Sequence, residues 1–126
     1  MAYVFFNPNP KNARVGDCAV RAVAKAIGQD WKDAYIGLCS EGLVFKDMPS
    51  ANYVWGMYLK KFGFEEHMIS SICPACVTVS QFAKDHPNGR YVLATQNHVV
   101  AVVNGDYFDT WDSGEEIVLY FYKKET

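Results

Sequence analysis

The chain has 126 residues, half of them hydrophobic and 21% charged, and its 12 Lys and Arg against 14 Asp and Glu give a formal charge of −2. This describes one globular domain and excludes a disordered, collagenous or low-complexity chain. No basic surface exists to neutralise phosphates, and no stretch approaches the ~20 apolar residues of a bilayer span, so neither nucleic acid nor membrane is expected as a partner.

The opening, MAYVFFNPNPK, has neither the basic region nor the long apolar run of a secretion signal. A cytoplasmic protein is therefore expected, with Cys18, Cys39, Cys73 and Cys76 as thiols. A short strand over 3–6 precedes a loop over 7–16 that contains two Asn-Pro steps. Val20, Val23, Ala24 and Ile27 then fall on one face of a helix, with Asp17 as its N-cap and Gly28 where a C′ glycine belongs. A second helix spans 31–39, capped by Asp30, with Trp31, Ala34, Tyr35 and Leu38 as its stripe and Gly42 beyond its end. A third covers 50–62 and stops at Gly63, and a short fourth covers 80–85 before the His86-Pro87-Asn88-Gly89 turn. From there the period becomes that of strands, over 91–94, 98–103, 107–111 and 117–122, with Asn104-Gly105 as a two-residue hairpin turn. Helices first and an antiparallel sheet afterwards give the α+β class.

Cys18 stands at the first position of the first helix, about 160° around from Val20 and thus opposite the aliphatic stripe. A helix mouth offers unpaired N–H groups and the positive end of the dipole, which favour a thiolate and so a nucleophile. The plainer reading is a cysteine tolerated at that position. His98 opens the apolar run 99–103, where an imidazole is either a core residue bonded to backbone or the partner that a thiolate needs. With a two-residue turn, paired positions across the hairpin sum to 209, which puts Asp109 on the face of His98, one diagonal step away. A three-residue loop would change the sum to 210 and set Asp112 opposite His98. Asn-Gly favours the two-residue turn, so Asp109 is the candidate and Asp112 the alternate; either could instead be a solvated hairpin carboxylate.

The order of these residues, carried by NARVGDCAVRA, GRYVLATQNHVVAVVNG and DYFDTWDSG, resembles the papain-like cysteine peptidases. It is similar above all to the small bacterial and phage members related to bacteriocin-leader-processing peptidases. The resemblance implies one papain-like domain over 1–126, with a nucleophile-bearing helix packed on a C-terminal antiparallel sheet. It implies a triad of Cys18, His98 and Asp109 that cleaves a peptide or isopeptide bond through an acyl-enzyme. It also implies an oxyanion hole made by the Cys18 amide and an amide side chain six positions earlier; that position holds Asn12, where the family usually has Gln. Asp109-Thr110-Trp111 is similar to the family's Asn-Ser-Trp, whose tryptophan shields the triad. A peptide or protein substrate follows, with no cofactor and no metal, and at this size the cleft is expected to be either shallow and permissive or completed by a second copy or a partner protein. The alternatives are a transglutaminase- or amidase-like acyl transferase with the same triad, or a catalytically silent binding module.

Other signals compete. Cys73-Pro74-Ala75-Cys76 reads first as structural, then as half of a zinc site with Cys39, His67 or His86, then as a redox pair. His67 reads as a surface residue, and Arg21, Lys25, Lys60 and Lys61 as solvated positions on helix faces. Arg21 and Lys25 would add positive potential on the Cys18 side. Tyr120, Phe121 and Tyr122 suggest an edge or final strand with an interaction surface.

Overall fold

A computed structural model describes residues 2–125. Its elements in chain order are β1 (Tyr3–Phe5), α1 (Cys18–Ile27), α2 (Trp31–Phe45), α3 (Asn52–Lys60), β2 (Phe64–Met68), α4 (Val79–Asp85), β3 (Arg90–Thr95), β4 (His98–Val103), β5 (Asp106–Asp109) and β6 (Tyr120–Lys124). The fold is α+β, four helices on a six-stranded sheet ordered β1-β5-β4-β3-β6-β2. The sheet is mixed: β1 runs parallel to β5, and every other neighbouring pair is antiparallel.

Helices cover both faces, which is why the central strands read as unbroken apolar runs. Val92, Ala94, Val99 and Ala101 pack against α1, α2 and α3 in one core, built around Val23, Leu38, Trp55 and Leu59. The alternate side chains Leu93, Val100 and Val102 pack with Phe82 and Ala83 of α4 and with Val118 in a second core. The Asn104-Gly105 turn has two positive φ angles, 50° and 87°, and Val103 pairs with Asp106 and Val102 with Tyr107. This is the two-residue turn, with its sum of 209. Gly28 ends α1 at φ 88° and Asp30 caps α2 by accepting from the Asp33 N–H, both as expected.

Several elements differ from the sequence reading. The α2 helix runs to Phe45 and ends at Lys46 in the left-handed region, so Gly42 lies inside it. Gly42 is there for clearance: a Cβ would sit 2.6 Å from the Asp47 carbonyl oxygen of the turn that follows. The α3 helix starts two residues later than expected, and β5 stops at Asp109, leaving Trp111 outside it. The last strand is displaced to Tyr120–Lys124, and Ile117 forms an isolated bridge with Thr78. Nor is β6 an edge. It lies between β3 and β2, and its aromatics pack inward, Tyr122 against Trp55 and Phe121 against Phe82. The unforeseen β2 has the sequence FEEHM, in which only Phe64 is buried, too little apolar alternation to mark a strand.

Cys73 and Cys76 are not thiols but are joined in a disulfide within the exposed segment before α4, which removes the zinc reading; Cys18 and Cys39 are free. Among the described residues no helix is long and apolar enough to cross a membrane.

Candidate active site

The β4–β5 hairpin brings the first residue of β4 and the last residue of β5 to the same end of the sheet, and α1 begins at that end. Cys18, His98 and Asp109 are the three residues at these termini. His98 Nε2 lies 2.6 Å from Asp109 Oδ2. Cys18 lines the same two clefts as His98 and interacts with it electrostatically, and Nδ1 is the ring nitrogen that Asp109 leaves free for it. Cys18 is half-buried and Asp109 is 1% exposed.

The electrostatics follow from these neighbours. Burial alone would raise the Cys18 pKa, but the hydrogen bond and charge of His98, the Val99 backbone N–H and the Arg21 charge outweigh it and hold the thiol below its ordinary value. For His98, burial favours the neutral ring, yet hydrogen bonds to Asp109 and Cys18 and their negative charges raise its pKa to about 9. Asp109 is likewise pushed up by burial, and more than compensated by hydrogen bonds from His98 and Ser113, the imidazolium charge and the Thr110 N–H, so it stays ionised. Both shifts work in the direction of a thiolate–imidazolium pair.

Asp109 is saturated with donors. Oδ2 accepts from His98 and from Ser113 Oγ at 2.7 Å; Oδ1 accepts from the Thr110 N–H at 2.8 Å and from Arg21 Nη2 at 3.0 Å. Arg21 is not solvated: it is 6% exposed, wedged between Asp109 and Asp17, to which its Nη1 also donates. Asp17 therefore does not cap α1 with its side chain; its other oxygen accepts from Trp31 Nε1 at 2.8 Å. Lys25 is half-buried, with Nζ 4.2 Å from the centre of the Phe108 ring. Trp111 leans on the His98 ring, centroids 4.9 Å apart, while remaining 44% exposed.

Two predicted site residues stand apart from this group. Asp112 accepts from the Tyr107 hydroxyl at 2.5 Å and from the Gly114 N–H, not from His98. Asn12 is exposed in the loop before α1, in a turn closed by its N–H to the Asn9 carbonyl, and does not line the clefts at Cys18. Those clefts hold about 300 Å³ and 250 Å³ and share Cys18, Asn97 and His98; the larger is also lined by Ser50, Asn52 and Thr95. Asn52 Oδ1 accepts from Trp55 Nε1 at 3.1 Å, which orients the amide and leaves its NH₂ as the group with hydrogen-bonding capacity to spare. Across Asp17 and Ser50 lies a third cleft of about 420 Å³, mostly apolar, walled by Val15, Ala19, Val20 and the stacked Trp31–Tyr35 pair.

Arg21 supplies the positive potential expected on the Cys18 side, but its place as a buried bridge between carboxylates escaped the sequence reading, as did Ser113, Asn52 and Asn97. Arg21 left a trace: it is four residues after Asp17 and three after Cys18, and so shares their side of the helix. The other three left none, because loop and helix-start amides and hydroxyls are common without a site. Among the described residues, Glu65, His67 and Glu125 converge as a group of metal-ligand type, on the β2–β6 edge of the sheet and three strands from β4. No family model, curated protein or solved structure matches the chain.

Proposed function

We propose that this chain is a small cysteine hydrolase of papain-like design, a peptidase that acts on a peptide or protein and works through Cys18, His98 and Asp109. The observation that carries this reading is the juxtaposition of a cysteine at a helix start with an imidazole that is itself hydrogen-bonded to a buried carboxylate with four donors. A structural cysteine needs no imidazole, and a buried carboxylate held ionised beside that imidazole gives it a reason to be charged.

The chemistry follows from the geometry. The Cys18 thiolate adds to the substrate's acyl carbonyl, and the forming oxyanion lies toward the mouth of α1, where the first N–H groups have no partner within the helix. Asn52, which lines the cleft with its NH₂ uncommitted, supplies the side-chain donor in place of Asn12. As the C–N bond breaks, the imidazolium gives its proton to the departing amine, leaving a thioester and a neutral ring. His98 then takes a proton from water, hydroxide adds to the thioester, and loss of the thiolate releases the acid and restores the ion pair. Asp109 holds the ring so that Nδ1 faces the sulfur throughout.

Iodoacetamide tests the resting state. Cys18 should alkylate faster than Cys39, with a midpoint below the ~8.5 of an ordinary thiol. Turnover of a peptide mixture should rise as Cys18 ionises and fall as pH passes about 9, where His98 loses its proton. Cys18→Ala should abolish turnover and leave the melting temperature nearly unchanged. Equal labelling of Cys18 and Cys39 would overturn the nucleophile; selective labelling without any Cys18-dependent cleavage would overturn the peptidase.

A further inference from the structure

We infer that Arg21 is a positioning residue for the proposed triad: its guanidinium bridges Asp17 and Asp109 and so fixes the carboxylate that orients His98. The inference rests on the hydrolase reading and adds a residue to it.

The geometry is specific to a guanidinium. Nη2 donates to Asp109 Oδ1 at 3.0 Å and Nη1 donates to Asp17 Oδ1, so one planar fork spans two carboxylates, which an ammonium on a single carbon stem cannot do with fixed angles. The fork is anchored from the far side, because Trp31 Nε1 of α2 holds Asp17 Oδ2 at 2.8 Å. All three charged groups are at most 6% exposed. Arg21 Nε has no protein partner, so the two Nη groups of the fork carry the guanidinium's hydrogen bonds.

The charge balance gives the second argument. Asp17, Arg21 and Asp109 sum to −1, and the proton shared by Cys18 and His98 moves within the cluster without changing that total. Without Arg21 the same desolvated volume would hold −2, and Asp109 would lose one of the four donors that fix it against His98. The other ionisable groups around the cluster do not replace it. The Tyr3 hydroxyl of β1 reaches the Asp109 carbonyl rather than its carboxylate. Arg14 donates to the Thr110 carbonyl, and Asp112 is occupied by Tyr107. The same guanidinium is also a positive charge acting on Cys18.

The test uses two variants of the whole chain, chosen to spare the fold. Arg21→Gln combined with Asp17→Asn removes both partners of the buried pair at once and leaves no orphaned charge there, while Arg21→Lys keeps the charge but loses the fork. The double variant keeps the summed charge at −1 but takes from Asp109 its guanidinium donor and from Cys18 a nearby positive charge, so the pH midpoint of Cys18 alkylation should rise by about one unit. Its kcat should fall about tenfold with KM unchanged, and Arg21→Lys should recover part of both. A purely structural role would lower the melting temperature and leave the midpoint where it was. A folded double variant with the wild-type midpoint overturns the inference. An ordinary thiol midpoint in the wild-type chain would instead overturn the hydrolase reading beneath it.

Discussion

Asp109 concentrates the logic of the site in one side chain: two oxygens, four donors and almost no solvent. Replacing it with Asn removes the charge that sustains the imidazolium and turns one oxygen into a donor facing donors. Asp109→Asn should therefore cut kcat by about 10²–10⁴, measured against a peptide that wild-type protein cleaves. Asp112→Asn should leave kcat within about threefold and cost about 1 kcal/mol, the net worth of one hydrogen bond, through the Tyr107 hydroxyl it holds. The reverse ranking would mean that Asp112 serves the imidazole. Titration of stability has a definite sign at these residues. The His98 pKa is raised, so its contribution is whole below about 6.5, the pKa of a free imidazole, and is lost as pH climbs through about 9. The Asp109 pKa is lowered, so its contribution is present above the ordinary carboxylate range and is lost only as acid takes the pH below that range. At this scale the sequence was informative where spacing fixes geometry. A two-residue Asn-Gly turn has one register, and that register alone separates Asp109 from Asp112. It was only partly informative for Arg21, since a helical wheel tells that the side chain points toward Cys18 and not which carboxylates wait there. Asn12, exposed and away from the clefts at Cys18, illustrates a related point: an offset of six residues defines a position in the chain, while a loop decides where that position goes.

Among the elements, α1 was the most legible, because its aliphatic stripe, its glycine stop and its cysteine all follow from the 3.6-residue period. The α2 helix shows how the same signals mislead. Gly42 looked like a terminator and instead makes room for the Asp47 backbone, while exposed Leu43 and Val44 continue the helix beyond the buried stripe. Gly42→Ala should accordingly destabilise the chain by about 1–3 kcal/mol, as overpacking against backbone does, and not stabilise it as alanine does in an ordinary helix interior. Urea denaturation measures this, and a stabilised variant would mean that the turn after α2 yields freely. The mate of β6 was hidden for the opposite reason. Four of the five residues in β2 are at least partly exposed, so pairing along the backbone, and not burial, holds that strand in place.

Across the whole molecule, the sheet carries a core on each face, and the candidate site lies at one end of it, where α1, β4 and β5 meet. The division into an α+β chain was readable from the change of period after residue 89, whereas the parallel β1–β5 pair, which makes the sheet mixed, joins segments too distant for any periodic signal to link. The Cys73–Cys76 bridge lies outside this arrangement, in the exposed segment before α4. It closes a very short loop, so reduction should cost at most about 2 kcal/mol of stability on chain-entropy grounds. Cys18 alkylation should keep its pH midpoint in dithiothreitol once reagent consumption is corrected for. A midpoint that moves would tie the bridge to the site after all.

The sulfur enters from the first helix and its imidazole from a hairpin made much later along the polypeptide. A nascent chain leaving the ribosome thus carries only an unremarkable thiol at residue 18, since the ring that would ionise it has not yet been synthesised. On the proposed hydrolase reading, the nucleophile is therefore armed only once the β4–β5 hairpin has docked beside α1.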